Sequence, residues 1–382
     1  MLVVFIISLA CILYVYFGYP AMLAISSMIV GKEHKKREFY PTVSIIISAY
    51  NEEGVIRKKI ENLLRLDYPF DKLEIIVASE SDDKTDKIVQ EYSSQGIKLF
   101  SYNGREGKAA TLYKAVPQTC GEILVFSDAN AMFKPDAIKQ LVCNFADPEV
   151  GCVSGMMLFK GAEKSSASKG QNAYWRYEIG LKKLSSRLKT CTGGVHGSIF
   201  ALRREAYLPL NKYRGDDFEL TINAATSGWR IVFEPKAISF EEPTDTIGEE
   251  FKRKVRIVSW NFESSLMLLW RALCKGQIFI SVQLLSHKIL RWLVSVFLVL
   301  ILLSSVLLSL KYKGIYFKVF TLAQLFFYLL AFLGYIFDKA IGGKVPQVLL
   351  MPYFFCSINI AALAGVCKSI SGKTEILWEK SR

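Results

Sequence analysis

Residues 1–30 contain no Asp, Glu, Lys or Arg. This run constrains the fold more than any other feature, because a bilayer core accepts about 20 apolar residues of helix. It carries no small-residue cleavage site of the A-x-A kind, so it is expected to remain as an anchor rather than be removed as a signal peptide. Three more uncharged runs lie late in the chain, Trp292–Leu310, Val319–Phe337 and Val345–Cys367. Each is about 20 residues, long enough to span. Short polar connectors separate them, Lys311–Gly314 and Asp338–Lys344. Four such runs predict membrane spans rather than buried helices of a soluble core.

The first run is followed by Lys32, Lys35, Lys36 and Arg37. By the positive-inside rule, the segment after this basic cluster is expected to face the cytosol. Three later spans would then leave the C-terminus outside, yet the tail carries Lys368, Lys373, Lys380 and Arg382. A late segment lying in the interface or re-entering would reconcile parity with charge. The formal net charge of +13 has the same explanation. Residues 288–382 hold 11 Lys+Arg against 3 Asp+Glu, whereas residues 31–287 hold 37 against 32. The excess gathers around the spans, and no nucleic acid is needed as a partner. With 51% hydrophobic residues the chain is not a disordered tail. Its eight cysteines form no CxxC pair, which points away from a zinc site or a disulfide framework.

The middle of the chain alternates short β-branched runs with helical patterns. Val43–Ile47, Leu73–Val77, Ile97–Phe100 and Glu122–Phe126 read as strands. Glu53–Leu66, Asp83–Tyr92 and Lys108–Val116 read as helices. Such alternation predicts βαβ units and a parallel sheet, whose ligands bind at the carboxyl ends of the strands. The residues placed there are Ser48–Glu53, Ser79–Asp83 and Ser127–Asn130. Three carboxylate-bearing loops at one sheet edge suit a nucleotide and a metal ion. No Gly-x-Gly-x-x-Gly follows the first strand and no Walker A loop is present, which excludes the usual dinucleotide and P-loop readings. Asp82 and Asp83 suit helix capping as well as ligand contact. Asp128 and Asn130 suit capping less, because the next helix is expected only from Pro135.

These segments resemble the family-2 glycosyltransferases, inverting enzymes with a GT-A fold. The resemblance covers residues 41–260, with its elements in the family's order: Val43–Glu53 (VSIIISAYNEE), Ile75–Asp86 (IIVASESDDKTD), Arg105–Lys108 (REGK), Phe126–Asn130 (FSDAN), Cys191–Arg204 (CTGGVHGSIFALRR) and Gly215–Leu220 (GDDFEL). It implies a Rossmann-like α/β cytosolic domain, with one transmembrane helix before it and about three after it. The implied divisions are 1–30 (anchor), 31–250 (catalytic domain), 251–287 (amphipathic interfacial segment), 288–370 (spans) and 371–382 (tail).

The resemblance also assigns roles. Tyr50, Glu52, Glu80, Lys108, Asp128 and Arg256 match positions that meet the nucleotide sugar, Glu80 where the family has an aspartate reading uracil and ribose. Asp128 and Asn130 match the D-x-D pair that serves Mg²⁺ or Mn²⁺ and the diphosphate. An amide replaces the second carboxylate, so its oxygen can still coordinate but brings no charge. Asp217 matches the general base, which must take a proton from the acceptor hydroxyl as it attacks. Its neighbour Asp216, together with His196, Gly197, Ser198 and Trp260, matches the acceptor side. Lys252–Trp260 reads as a basic amphipathic helix on the membrane surface. Processive members have Gln-x-x-Arg-Trp here, whereas this chain has Ile257 after Arg256. The departure argues for single transfer.

The expected protein is therefore an integral membrane enzyme. It would move a sugar from a UDP-linked donor to a glycan or lipid-linked acceptor for an envelope or exported polysaccharide or a glycolipid, in contact with membrane lipids. Alternatives are a processive synthase of the hyaluronan, cellulose or poly-N-acetylglucosamine kind, and a non-catalytic sugar-nucleotide-binding membrane protein. A transporter fits less well, because few ionisable residues lie within the spans.

Overall fold

The computed structural model describes residues 1–160, 166–190, 194–209, 216–242, 246–312, 314–341 and 345–372. Lys313, Lys344, Gly215 and the tail from residue 373 lie outside them. Four strands form as the sequence predicts: β1 (Val43–Ala49), β2 (Leu73–Ser79), β3 (Ile97–Ser101) and β4 (Ile123–Asp128). All pair in parallel, with β1 between β2 and β4 and with β3 beyond β2. Alternate residues of a strand point to opposite faces, and both faces of β1 are covered. Ile45 and Ile47 pack with Ile56, Ile60 and Leu63 of the helix Ile56–Leu64, while Ile46 packs with Leu112 and Ala115 of the helix Lys108–Ala115. Burial on both faces explains why β1 is an unbroken apolar run.

The second half of the sheet is mixed. β5 (Met132–Phe133), β6 (Val150–Phe159), β7 (Phe200–Arg203) and β8 (Arg230–Glu241) complete the order β3-β2-β1-β4-β7-β6-β8-β5. β7 is antiparallel to both β4 and β6, whereas β8 is parallel to β6. In the β4–β7 register Phe200 lies opposite Phe126, and their rings stack at 4.8 Å. Because β7 runs backwards, the residues just before Phe200 arrive at the carboxyl edge of β4. This brings His196–Ser198 beside Asp128.

Four helices are long and apolar enough to cross a membrane: Leu2–Ile29, Val294–Lys311, Ile315–Ala340 and Gln347–Ile370. One is N-terminal and three are C-terminal, as expected. They pack together. Phe5 meets Phe317 and Phe320 edge-on, Thr321 donates to Ser305 Oγ at 3.0 Å, and Gln324 donates to the Leu298 carbonyl at 3.1 Å. Leu303, Leu310, Phe326 and Phe332 are more than half exposed, as lipid-facing side chains are.

The helix Gln347–Ile370 joins them through Phe355 on Phe327 and Tyr353 on Tyr335, and it has a further partner. It runs beside the long helix Ile247–Cys274, which contains the predicted amphipathic segment and opens on a Thr246–Glu249 capping box. Val345, Leu350 and Tyr353 surround Ile247 near one end; Ala362 and Val366 meet Val258 and Phe262 further along. A Cβ on Gly365 would lie 2.7 Å from Val258 Cβ and 2.8 Å from the Val255 carbonyl oxygen, so only glycine permits this approach. Cys11, Cys120, Cys143, Cys152, Cys274, Cys356 and Cys367 are all free thiols.

Candidate active site

The loops after β1, β2 and β4 meet at one edge of the sheet. After β1, Tyr50 lies under the Arg105 guanidinium, 4.4 Å from Cζ to the ring centre. With Ser48, Glu80, Gly107, Lys108 and Thr111 they line a cleft. Glu80 is 5% exposed, and its Oε2 accepts the N–H groups of Glu106 and Gly107 at 3.0 and 2.9 Å. Its Oε1 is buried, 4.0 Å from Lys114 Nζ, and accepts no hydrogen bond from the described residues. Glu80 therefore fixes the REGK loop with one oxygen and keeps an acceptor for a ligand with the other.

Glu52 stands outside the residues that line this cleft, and its N–H donates to Thr85 Oγ1 at 2.8 Å. Asp83 closes a local turn before the helix Thr85–Gln90: its Oδ1 accepts from the Thr85 N–H and hydroxyl at 2.8 and 2.5 Å. Asn51, at φ +54°, accepts the N–H groups of Asp82 and Asp83. These contacts tie the β1 and β2 loops together.

Deeper along the edge, three charged groups converge on Gly197. A Cβ there would lie 3.3 Å from Lys108 Nζ and 3.5 Å from both Asp128 Oδ2 and Asp217 Oδ2. The two carboxylate oxygens are thus at most twice that distance apart. Lys108 Nζ also donates to Asp128 Oδ1 at 2.7 Å. Asp217 is the second residue of the helix Asp216–Thr226, and its Oδ1 accepts the Phe218 N–H at 2.7 Å. A helix N-terminus favours a carboxylate there. The side chain of Asp216 lies outside the described residues.

The remaining expected residues divide. Arg256 and Trp260 are one helical turn apart, with the guanidinium 5.6 Å from the indole centre. Burial lowers the Arg256 pKa and Arg253 adds to the effect, while Asp128 opposes it; Arg256 therefore lies within the field of Asp128. His196 accepts from Lys182 Nζ at 2.8 Å and lies 4.4 Å from the Trp175 ring, edge to face. Burial, reinforced by Lys182, holds its pKa well below the ordinary range, so the ring is neutral. Ser198 is buried, and its hydroxyl accepts from Ser239 at 3.2 Å. That hydroxyl thus turns into the sheet and away from the cleft, because alternate residues of the segment face opposite ways.

Asn130 is exposed in the turn closed by the Ala131 N–H and the Asp128 carbonyl. Among the described residues no three His, Cys, Asp or Glu side chains stand close enough to hold a metal by themselves. Asp128 and Asn130 offer hard oxygen donors, and Mg²⁺ and similar ions often take one or two protein ligands, keeping substrate phosphates and water for the rest. The residues fit a metal site completed by the substrate.

One residue beneath the turn escaped the sequence reading. Lys59 is fully buried, and its Nζ donates to Ser127 Oγ at 2.7 Å and to the Ala131 carbonyl, on either side of Asp128–Asn130. Its ammonium sits 4.0 Å from the Phe133 ring centre, and burial lowers its pKa to about 7. A signal existed: Ile56, Lys59, Ile60 and Leu63 follow the i, i+3, i+4, i+7 spacing of a buried helix face. Arg105 was legible only as part of REGK, since its stacking partner Tyr50 is remote in sequence.

The sheet order, with a cleft and an acidic turn at the carboxyl edge of β1 and β4, is the arrangement of the GT-A fold. Residues 41–259 match the family model described as glycosyltransferase like family 2, and the chain belongs to that family. It is 30% identical over 243 residues to a probable glycosyltransferase, YdaM, of Bacillus subtilis, covering 59% of this chain and 57% of that one. It is 32% identical over 203 residues to a beta-monoglucosyldiacylglycerol synthase of Trichormus variabilis, covering 50% and 42%. It is 26% identical to a poly-beta-1,6-N-acetyl-D-glucosamine synthase of Staphylococcus epidermidis, covering 64% and 60%. The matched part thus spans roughly half the length of these relatives. In fold it is similar to a mannosyltransferase from Pyrobaculum calidifontis solved with GDP-Man and Mn²⁺, at a TM-score of 0.70 and 20% identity, covering 97% and 99%.

Proposed function

We propose that this enzyme transfers a sugar, with inversion, from a nucleotide sugar to a lipid-linked or glycan acceptor at the cytosolic membrane face. The carrying observation is the convergence of Lys108, Asp128 and Asp217 on the space at Gly197. The acceptor hydroxyl oxygen attacks the anomeric carbon, and its proton passes to the Asp217 carboxylate. The anomeric C–O bond breaks, and its electron pair leaves with the nucleoside diphosphate. Lys108 and Arg256 carry the positive charge that meets this leaving group, where charge grows in the transition state. Tyr50, Arg105 and Glu80 hold the nucleoside. When bound by Asp128 and Asn130, a divalent ion supplies further charge compensation for the diphosphate. The intact Lys108, Asp128 and Asp217 set supports catalysis over a merely binding role. Ile257, 38% exposed where processive members carry tryptophan, supports single transfer over chain synthesis.

The acceptor atom that Glu80 keeps can take the imide N–H of uracil, which supports the expected UDP-linked donor; guanine offers a similar N–H, so binding of the two nucleotides decides between them. With Mn²⁺, UDP is expected to stabilise the purified protein thermally, and Glu80→Gln to weaken UDP binding about tenfold, the loss of one charge-assisted hydrogen bond of roughly 1.5 kcal/mol. Stabilisation by GDP alone would reassign the donor. Indifference to both nucleotides would remove the reading.

The last helix packs along both Ile247–Cys274 and Ile315–Ile341, and the basic tail that follows it favours an in-plane position. Three spans would then carry both the basic cluster Lys32–Arg37 and the basic tail to the cytosol, as the positive-inside rule asks. A protease-cleavable tag at the C-terminus should be resistant in intact cells and cut in inverted membrane vesicles. Cutting in intact cells would restore the four-span arrangement.

A further inference from the structure

Away from the four spans, large exposed apolar side chains are mostly single, as at Phe70, Tyr113 and Leu208. Among the described residues they gather in one segment, at Leu266, Trp270, Leu273, Ile278 and Leu285. Trp270 and Ile278 are 70% and 72% exposed. A single apolar side chain on a surface is ordinary, whereas a contiguous patch marks a contact with a partner or a membrane.

Helical geometry gives the direction in which this patch faces. On the helix Ile247–Cys274, Val255, Val258 and Phe262 form a stripe that the last apolar helix, Gln347–Ile370, covers. The same spacing continues through Leu266, Trp270 and Leu273. The two helices run in the same direction, since Val345 and Leu350 surround Ile247 while Ala362 and Val366 meet Val258 and Phe262. Gln347–Ile370 therefore ends about one turn past Phe262, and the stripe beyond it is exposed. The membrane-surface segment expected at Lys252–Trp260 is thus covered by a helix, and the open face lies further on.

The other side of this corner is built into the catalytic domain. Leu268, Ala272, Ile280 and Leu284 are buried in the same core as Phe218 and Ile222 of the helix Asp216–Thr226. Arg271 donates to Asn223 Oδ1 at 3.2 Å, and Lys275 and Gln277 donate to the Thr226 carbonyl at 3.1 and 3.0 Å. The corner is fixed to the far end of the helix that opens on Asp216 and Asp217.

Two observations favour a bilayer as the occupant. Phe279, next to Ile278, packs with Tyr19 and Leu23 of the first apolar helix, Leu2–Ile29, so the corner is level with a candidate span. Glu263 is the last acid before the patch; residues 264–292 hold no Asp or Glu, while Arg271 and Lys275 are exposed. An apolar face with a tryptophan suits the boundary between headgroups and acyl chains, and a segment without acids suits an anionic leaflet.

We propose that Leu266, Trp270, Leu273 and Ile278 seat in the headgroup boundary of the cytosolic leaflet, a membrane contact separate from the spans that holds the Asp217 helix at a fixed height over the lipid. The inference rests on the membrane reading of the four apolar helices and on no particular donor or acceptor.

Tryptophan emission of the full-length protein tests this, in vesicles of phosphatidylcholine and phosphatidylglycerol with plain or brominated acyl chains. The difference between the parent and Trp270→Phe isolates the signal of Trp270. That signal should be strongly quenched by bromine carried near the headgroups and weakly by acrylamide. Quenching by acrylamide alone would place the side chain in water and overturn the contact. Protection from both quenchers would overturn the bilayer as occupant, in favour of a protein surface such as a second copy. The double variant Leu266→Ser, Leu273→Ser should raise acrylamide quenching of Trp270. It should also raise the KM for extracted membrane lipids several-fold, with nucleotide affinity unchanged. An unmoved KM would overturn the hold on the Asp217 helix. The Trp270 signal alone decides if the double variant does not fold. Release of the parent from vesicles by carbonate would remove the membrane reading itself.

Discussion

Asp217→Asn is expected to lower the turnover number by about 10²–10⁴, the range that general-base catalysis supplies. This corresponds to roughly 3–5 kcal/mol in the barrier. The substitution keeps the size of the side chain and the oxygen that accepts the Phe218 N–H, so the helix start should survive. What it removes is a carboxylate able to take the acceptor's proton. Nucleotide affinity should stay within about twofold, because the cleft formed by Tyr50, Glu80 and Arg105 does not include Asp217. A variant that binds nucleotide normally and keeps full turnover would move the base elsewhere. A variant that loses both would mean that Asp217 holds the fold.

The second large effect concerns Lys59. Its ammonium has a pKa of about 7 in the fold and near 10.4 in an unfolded chain. Between those values the folded protein binds fewer protons than the unfolded one, so stability rises with pH from about 7 towards 10. Below pH 7 both states are protonated and the burial penalty is fully present. The difference corresponds to roughly 4 kcal/mol. Lys59→Met should remove this share of the slope, leaving the slopes of Lys254 and Lys288, which have the same sign and begin near pH 8. At pH 7 the variant should be as stable as the parent or more so, as when buried charges give way to apolar groups of similar size. Transfer should nevertheless fall by about tenfold, because the Asp128–Asn130 turn loses its tethers at Ser127 and Ala131. Melting curves at pH 7 and 9 with a transfer assay check this. An unchanged slope would deny the buried cation, and unchanged transfer would deny its positioning role.

How much of this was legible in the sequence depends on local pattern. β1 to β4 are legible because their β-branched runs are buried on both faces, and their ends fall within two residues of expectation. β7 is only four residues long, and its reversed direction is a matter of pairing partners that no local run records. β8 contains Pro235 and shifts register against β6 between Ser154 and Met156, which blurs its period. In the site, Asp128, Lys108 and Asp217 are legible as motif positions, and the structure gathers them. Lys59 is hidden by its company, since Arg57-Lys58-Lys59 reads as a solvated patch although the third residue falls on the apolar stripe. The last helix is apolar enough to span by composition. Its packing against Val258 depends on the missing side chain of Gly365, which hydropathy does not register.

The most direct test of inverting transfer uses the full-length protein in vesicles with a labelled nucleotide sugar of α configuration, Mn²⁺ and extracted membrane lipids as acceptor. Label should move into lipid with release of nucleoside diphosphate, the new bond should be β, and Asp217→Asn should nearly stop both. An α-linked product would contradict inversion. Release of nucleotide with the sugar delivered only to water would contradict the lipid-linked acceptor.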